Sequence, residues 1–355
     1  MQHLEMIAAQ NQDYERLMVG DGEGYHWLPY LIFLAHPDYA SPVVNTDTGG
    51  FRLAHGPAGP SSLMGNMPSG EVSVMLGGSA AFGFGASCDE ETIPSHLATG
   101  PDAVPWLNLA CNGFNSTQEL IVFLLHRHQL PVIKDIVVFS GVNTLVLAGL
   151  PGADRDYGQF FFSGPFARRL GIPDPAEQPT ALTRFARSAG RLVGRGEEKS
   201  REARRADPDG VLPPAERLNL ALRAAGRDLD RLVELAAPTG ARIHYVLQPV
   251  STWTRKPYTT EERVLIEERG EMYKGLFSMI LDPAVHDEYA AGMEAVCKDR
   301  SIPFLNLNTA LGSGPEAKDW LFVDLVHLTD VGYRLSTEVL RAELDLAGAS
   351  SGPLP

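Results

Sequence analysis

Cysteine is scarce in this sequence and has no pattern. Cys88, Cys111 and Cys297 lie far apart, with the spacing of neither a metal site nor a redox pair, and an odd number cannot all pair internally. This excludes a disulfide scaffold and leads to the expectation of free thiols in a cytoplasmic protein. Basic residues are in deficit: 30 Lys and Arg stand against 44 Asp and Glu, a formal net charge of -14. Neutralising phosphates requires a surplus of cations, so no nucleic-acid partner is expected. Long apolar runs are missing as well. The longest near the N-terminus, Trp27 to Ala35, is about half of a membrane span. The opening MQHLEMIAAQNQDYERL lacks a basic region followed by an apolar core and a cleavage site. Neither a membrane partner nor a secretory signal is expected.

What remains is enough for a full core: 355 residues, 44% of them hydrophobic and 21% charged. Short β-rich runs alternate with helical patterns, as in a parallel sheet covered on both faces. The strands are expected at 72–76, 106–110, 135–140, 242–248 and 303–307. Ser116 as N-cap with Glu119 three residues later reads as a capping box that starts a helix, and Thr329 reads as the cap of another. The third and fourth strands are separated by residues 150–235, far longer than an ordinary connection, so that segment is expected to be a structured insertion. The chain then divides into an N-terminal extension (1–70) packing on the core, a core (71–149 and 236–346), the insertion (150–235) and a disordered tail (347–355).

In an open parallel α/β sheet, ligands bind beyond the carboxyl ends of the strands. The first strand ends in Gly77, Gly78 and Ser79. The loop after the second offers Asn112 and Gly113, the third runs into SGVN with Asn143, and DLVHLT near the C-terminus supplies Asp324 and His327. Together these are a hydroxyl nucleophile, a base, a carboxylate to orient the base, and oxyanion donors, which are the parts of an acyl-transfer site. Taken singly they are bland: Ser79 reads as a helix cap, Gly113 and Asn143 as turn residues, and His327 as a surface histidine. Rival glycine-loop readings fail. GGSAAFGFGAS has no Gly-Lys-Ser/Thr ending, Cys88 stands where a dinucleotide loop has its third glycine, and Ala81 replaces the last glycine of G-x-S-x-G. His126, His128 and His244 read as structural or solvated, and Cys111 as packing.

The ordered set of blocks resembles the SGNH-hydrolase (GDSL-like esterase) superfamily. LGGSAAFGFG carries Ser79 at the nucleophile position, NLACNGFNSTQEL carries Gly113, SGVNT carries Asn143, and DLVHLTDVGY carries Asp324 and His327. The match spans roughly 71–150 and 236–346. Two positions depart from the pattern: Gly78 replaces the usual Asp before the serine, and Thr144 the Asp that often follows the asparagine. The resemblance implies a three-layer α/β/α, flavodoxin-like fold with a five-stranded parallel sheet. It further implies a catalytic triad of Ser79, His327 and Asp324, an oxyanion hole of Ser79, Gly113 and Asn143, and no need of a metal or organic cofactor.

The expected function is that of a serine esterase acting on a small-molecule ester or acyl donor. The alternatives are an O-acyltransferase that moves the acyl group to a sugar or natural-product hydroxyl, and a binding protein that keeps the fold without turnover. Arg184, Arg187, Arg191 and Arg195 recur at spacings of three and four, so a helix would bring them to one face. Such a face reads either as solvated surface or as a lid that grips an anionic or carrier-bound substrate.

Overall fold

The structure, a computed structural model, describes residues 2–18, 25–100, 103–150, 153, 159–163, 166, 212–269, 273, 275–313 and 318–346. The expected disordered tail, 347–355, lies outside them. After the helices Gln2–Gln10 and Tyr14–Met18 come two small antiparallel hairpins: β1 (Tyr25–Leu28) with β2 (Ile32–Ala35), and β3 (Ala54–Gly56) with β4 (Gly59–Ser61). The core sheet follows, with β5 (Glu71–Gly77), β6 (Trp106–Asn108), β7 (Val132–Ser140), β8 (Arg242–Leu247) and β9 (Phe304–Asn306). All five are parallel and lie in the order β6-β5-β7-β8-β9.

Alternation along each strand decides what covers each face. Val74, Leu76, Ile136 and Val138 pack with the helices Ser116–His126, Pro214–Ala236 and Pro283–Lys298. Met75, Val137, Phe139 and Val246 pack on the other side with the helices Ile93–Leu97, Leu307–Ser313 and Asp330–Leu344. The result is the expected three-layer α/β/α sandwich. No helix among the described residues is long and apolar enough to cross a membrane.

Thr329 caps its helix as expected, its hydroxyl accepting from Gly332 N–H at 3.2 Å. The capping box of the helix Ser116–His126 sits one residue earlier than the sequence suggests. Asn115 is the N-cap and Gln118 the reciprocal partner. Ser116 and Glu119 are occupied elsewhere: the Ser116 hydroxyl donates to Asp228 at 2.7 Å, and Glu119 accepts from Ser140 at 2.6 Å. Adjacent Asn and Ser both cap well, and only these tertiary partners decide between them.

The chain leaves β5 for one side of the sheet, forms β6, and returns past β5 to form β7. The point where the winding reverses therefore lies between β5 and β7. Ser79 and Asn143 follow those two strands, so the candidate residues meet at the crevice that this topology opens.

Candidate active site

β5 ends in Gly77, and Gly78 turns the chain into the short helix Ser79–Phe82, which exposes part of Ser79. Opposite it, a loop closed by the Phe322–Leu328 bridge presents His327. The Ser79 hydroxyl lies 2.7 Å from His327 Nε2, and His327 Nδ1 lies 2.6 Å from Asp324 Oδ2. Asp324 Oδ1 accepts the backbone N–H groups of Val326 (2.7 Å) and His327 (2.8 Å), which fixes the turn between Asp324 and His327. A fourth donor, the Tyr14 hydroxyl, reaches Asp324 Oδ2 from the N-terminal segment.

Burial alone would push the Asp324 carboxyl up. The charge and hydrogen bond of His327, the Tyr14 hydroxyl and the Val326 N–H outweigh burial and hold it at about 2. Asp324 is thus an acceptor at neutral pH, so His327 Nδ1 must carry the proton and Nε2 is free to accept from Ser79.

Two buried ion pairs brace the loops on either side. Glu262 pairs with Lys256 at 2.6 Å, both side chains fully buried, and also accepts Leu321 N–H (3.0 Å) and Phe322 N–H (3.2 Å), holding the segment that leads to Asp324. Arg52, fully buried, pairs with Asp89 at 2.7 Å and donates to the carbonyls of Gly83 (2.6 Å) and Phe82 (3.2 Å), pinning the far end of the Ser79 helix. Removing one partner of such a pair typically costs about 3–5 kcal/mol, because the other charge is left buried and alone.

The two departures from the sequence pattern have local causes. A Cβ at Gly78 would sit 2.5 Å from Asn143 Nδ2, so the glycine is what lets the asparagine amide approach the Ser79 turn. That amide donates to the Phe114 carbonyl at 2.8 Å. Thr144 accepts Ser116 N–H at 3.0 Å and thereby ties β7's exit to the start of a neighbouring helix. Gly113 has a φ of +75°, a conformation that glycine adopts without cost. Its loop is tethered beside the Ser79 turn by Cys111 N–H donating to the Gly77 carbonyl at 3.2 Å. The rings of Phe33 and Phe161 close over it, each 3.3 Å from where a Gly113 Cβ would lie.

A cavity of about 600 Å³ is lined by Arg16, Tyr25, His36 and Tyr39 and shares Phe82 and Asn112 with the helix Ser79–Phe82 and the Gly113 loop. Of the predicted residues, Ser79, His327 and Asp324 are joined by hydrogen bonds, and Asn143 stands against the Ser79 turn. Arg184, Arg187, Arg191 and Arg195 lie outside the described residues. Cys111 is buried, and burial pushes its thiol up to about 12, in keeping with packing. His244 is buried against Asp135 at 3.1 Å. Sequence reasoning missed Tyr14 and Arg52. Each is a lone residue in the N-terminal segment with no local pattern to mark it, and Tyr14 meets Asp324 across 310 positions.

No protein-family model matches the chain, and no curated protein matches it. Among solved structures it is similar to a member of the lipolytic protein G-D-S-L family from Veillonella parvula DSM 2008, at 11% identity over 77% of this chain and 97% of that one, TM-score 0.43. It is also similar to the lipase/acylhydrolase from Enterococcus faecalis, at 14% identity over 79% and 100%, TM-score 0.40. A third is a GDSL-like lipase from Bacteroides thetaiotaomicron VPI-5482, at 13% identity over 78% and 88%, TM-score 0.38. Structures of the family that the sequence blocks resemble are thus among those similar to this chain.

Proposed function

We propose that this protein is a serine acyl hydrolase that cleaves a small carboxylic ester through a covalent acyl-enzyme. One observation carries the reading: the unbroken relay from Ser79 Oγ to His327 Nε2 (2.7 Å) and from His327 Nδ1 to an ionised Asp324 (2.6 Å). A hydroxyl nucleophile needs a base within hydrogen-bond reach and a third group that fixes the base's tautomer.

In the reaction, Ser79 Oγ bonds to the ester carbonyl carbon as its proton passes to His327 Nε2. The oxyanion is held by the backbone N–H groups of Ser79 and Gly113 and by the second N–H of the Asn143 amide, whose first is engaged by Phe114. Collapse breaks the ester C–O bond, and the alcohol leaves with the proton from Nε2. Water then attacks the acyl-serine, giving its proton to His327, and the acid departs as Ser79 recovers its hydrogen. The cavity beside Phe82 and Asn112 offers room for one arm of the ester.

The transferase reading has no comparable observation behind it, since the arginine face it invokes lies outside the described residues. The silent-binder reading leaves the relay without a purpose. The test is a panel of chromogenic esters of rising acyl length: turnover of at least one is expected, lost in Ser79→Ala. No turnover of any, or equal turnover by the variant, contradicts the proposal.

A further inference from the structure

The Asp324 carboxylate takes its fourth hydrogen bond from outside the sheet-forming part of the chain. Tyr14 is fully buried, at 0% exposure, and its hydroxyl donates to the same Oδ2 that accepts from His327 Nδ1. Its ring stands edge-on to Phe84 (5.0 Å, 78°) and to His327 (6.2 Å, 78°), and Phe84 lies over the imidazole at 4.5 Å. The segment is built to deliver it. Asn11, buried after the helix Gln2–Gln10, donates from Nδ2 to the Phe84 carbonyl at 2.7 Å, accepts Asp13 N–H on Oδ1 at 2.9 Å, and accepts Tyr14 N–H on its own carbonyl at 3.2 Å. One side chain thus ties the N-terminal turn to the loop that follows the nucleophile helix. Ile7, Tyr14, Phe84, Leu265 and Val323 then form a separate small apolar cluster behind the relay.

We infer that Tyr14 is a positioning residue for the acyl-transfer reaction, an N-terminal fourth member of the relay that acts through Asp324. The inference rests on the proposed hydrolase reading. A carboxylate with two occupied positions on each oxygen cannot rotate away from the imidazole. A donor that stays on Oδ2 also tempers the pull of Asp324 on the imidazolium proton. Among the described residues, the titratable groups facing this carboxylate include Tyr14, His327 and, through space, Tyr333.

The experiment is a double-mutant cycle in the full chain, with active sites counted by fluorophosphonate labelling. Tyr14→Phe keeps the ring and removes only the hydroxyl, and it should lower kcat per labelled site about tenfold with KM little changed. The acid limb of kcat/KM should move to higher pH, because Asp324 with one donor fewer holds the imidazolium proton more tightly. In an Asp324→Asn background the same change should cost less than about twofold. A loss of packing would reduce the number of labelled sites without moving the limb. Equal losses in both backgrounds, an unmoved limb, or an unchanged kcat overturns the inference while leaving a labelled wild type as a hydrolase. An unlabelled wild type overturns both.

Discussion

Asp324 and Glu119 are both buried carboxyl groups, and burial pushes each toward the neutral acid. They end far apart, Asp324 at about 2 and Glu119 pushed up to about 8. Asp324 accepts two backbone N–H groups, the Tyr14 hydroxyl and His327 Nδ1. Glu119 accepts the Ser140 hydroxyl and faces the negative Asp228. The fold therefore keeps one buried carboxylate charged by surrounding it with donors and lets the other stay protonated by withholding them. Only a charged carboxylate can orient a histidine and stabilise its imidazolium, so the donor count separates a carboxyl suited to the proposed relay from one that is not.

The comparison breaks most visibly at the charged site. Asp324→Asn keeps the shape and removes the charge, so the Nδ1 proton is no longer demanded and the wrong tautomer of His327 faces Ser79. kcat on a chromogenic ester should fall by up to about 10⁴-fold. A loss of less than about tenfold would mean that Asp324 merely braces its loop.

At the neutral site the effect is smaller and falls on stability. Folded Glu119 holds its proton up to about pH 8, whereas the unfolded chain releases it near the ordinary value of 4.5. Between those values the folded state binds more protons, so this contribution is fully present below about 4.5 and is lost as pH rises through 8. Glu119→Gln mimics the protonated acid. The drop in Tm between pH 5 and pH 8 should be shallower in the Glu119→Gln protein than in the wild type, by calorimetry in matched buffers. A parallel pair of curves would show that Glu119 is already ionised in the fold.

The same contrast explains how much was legible in the sequence. The strands and the order of the blocks were, because apolar alternation and glycine turns are local signals, and they sufficed to place Ser79, Asn143 and His327 at neighbouring strand and loop ends. The choice of Asn115 over Ser116 as N-cap was not, since it turns on Asp228, more than a hundred residues away. Glu119 illustrates the limit well: three residues after a serine it resembles a cap partner, yet its oxygens face the inside of the sandwich. Tyr14 and Arg52 were invisible for the same reason, because a single tyrosine or arginine carries no periodicity and its meaning lies wholly in what the fold brings to it.

The most direct measurement of the central claim is covalent labelling with a fluorophosphonate, read by peptide mass mapping. Only a serine hydroxyl with a poised base displaces fluoride at a useful rate. The account predicts a single adduct on Ser79, slowed in Asp324→Asn and absent in Ser79→Ala. An adduct on another residue, or none on folded protein, would contradict it.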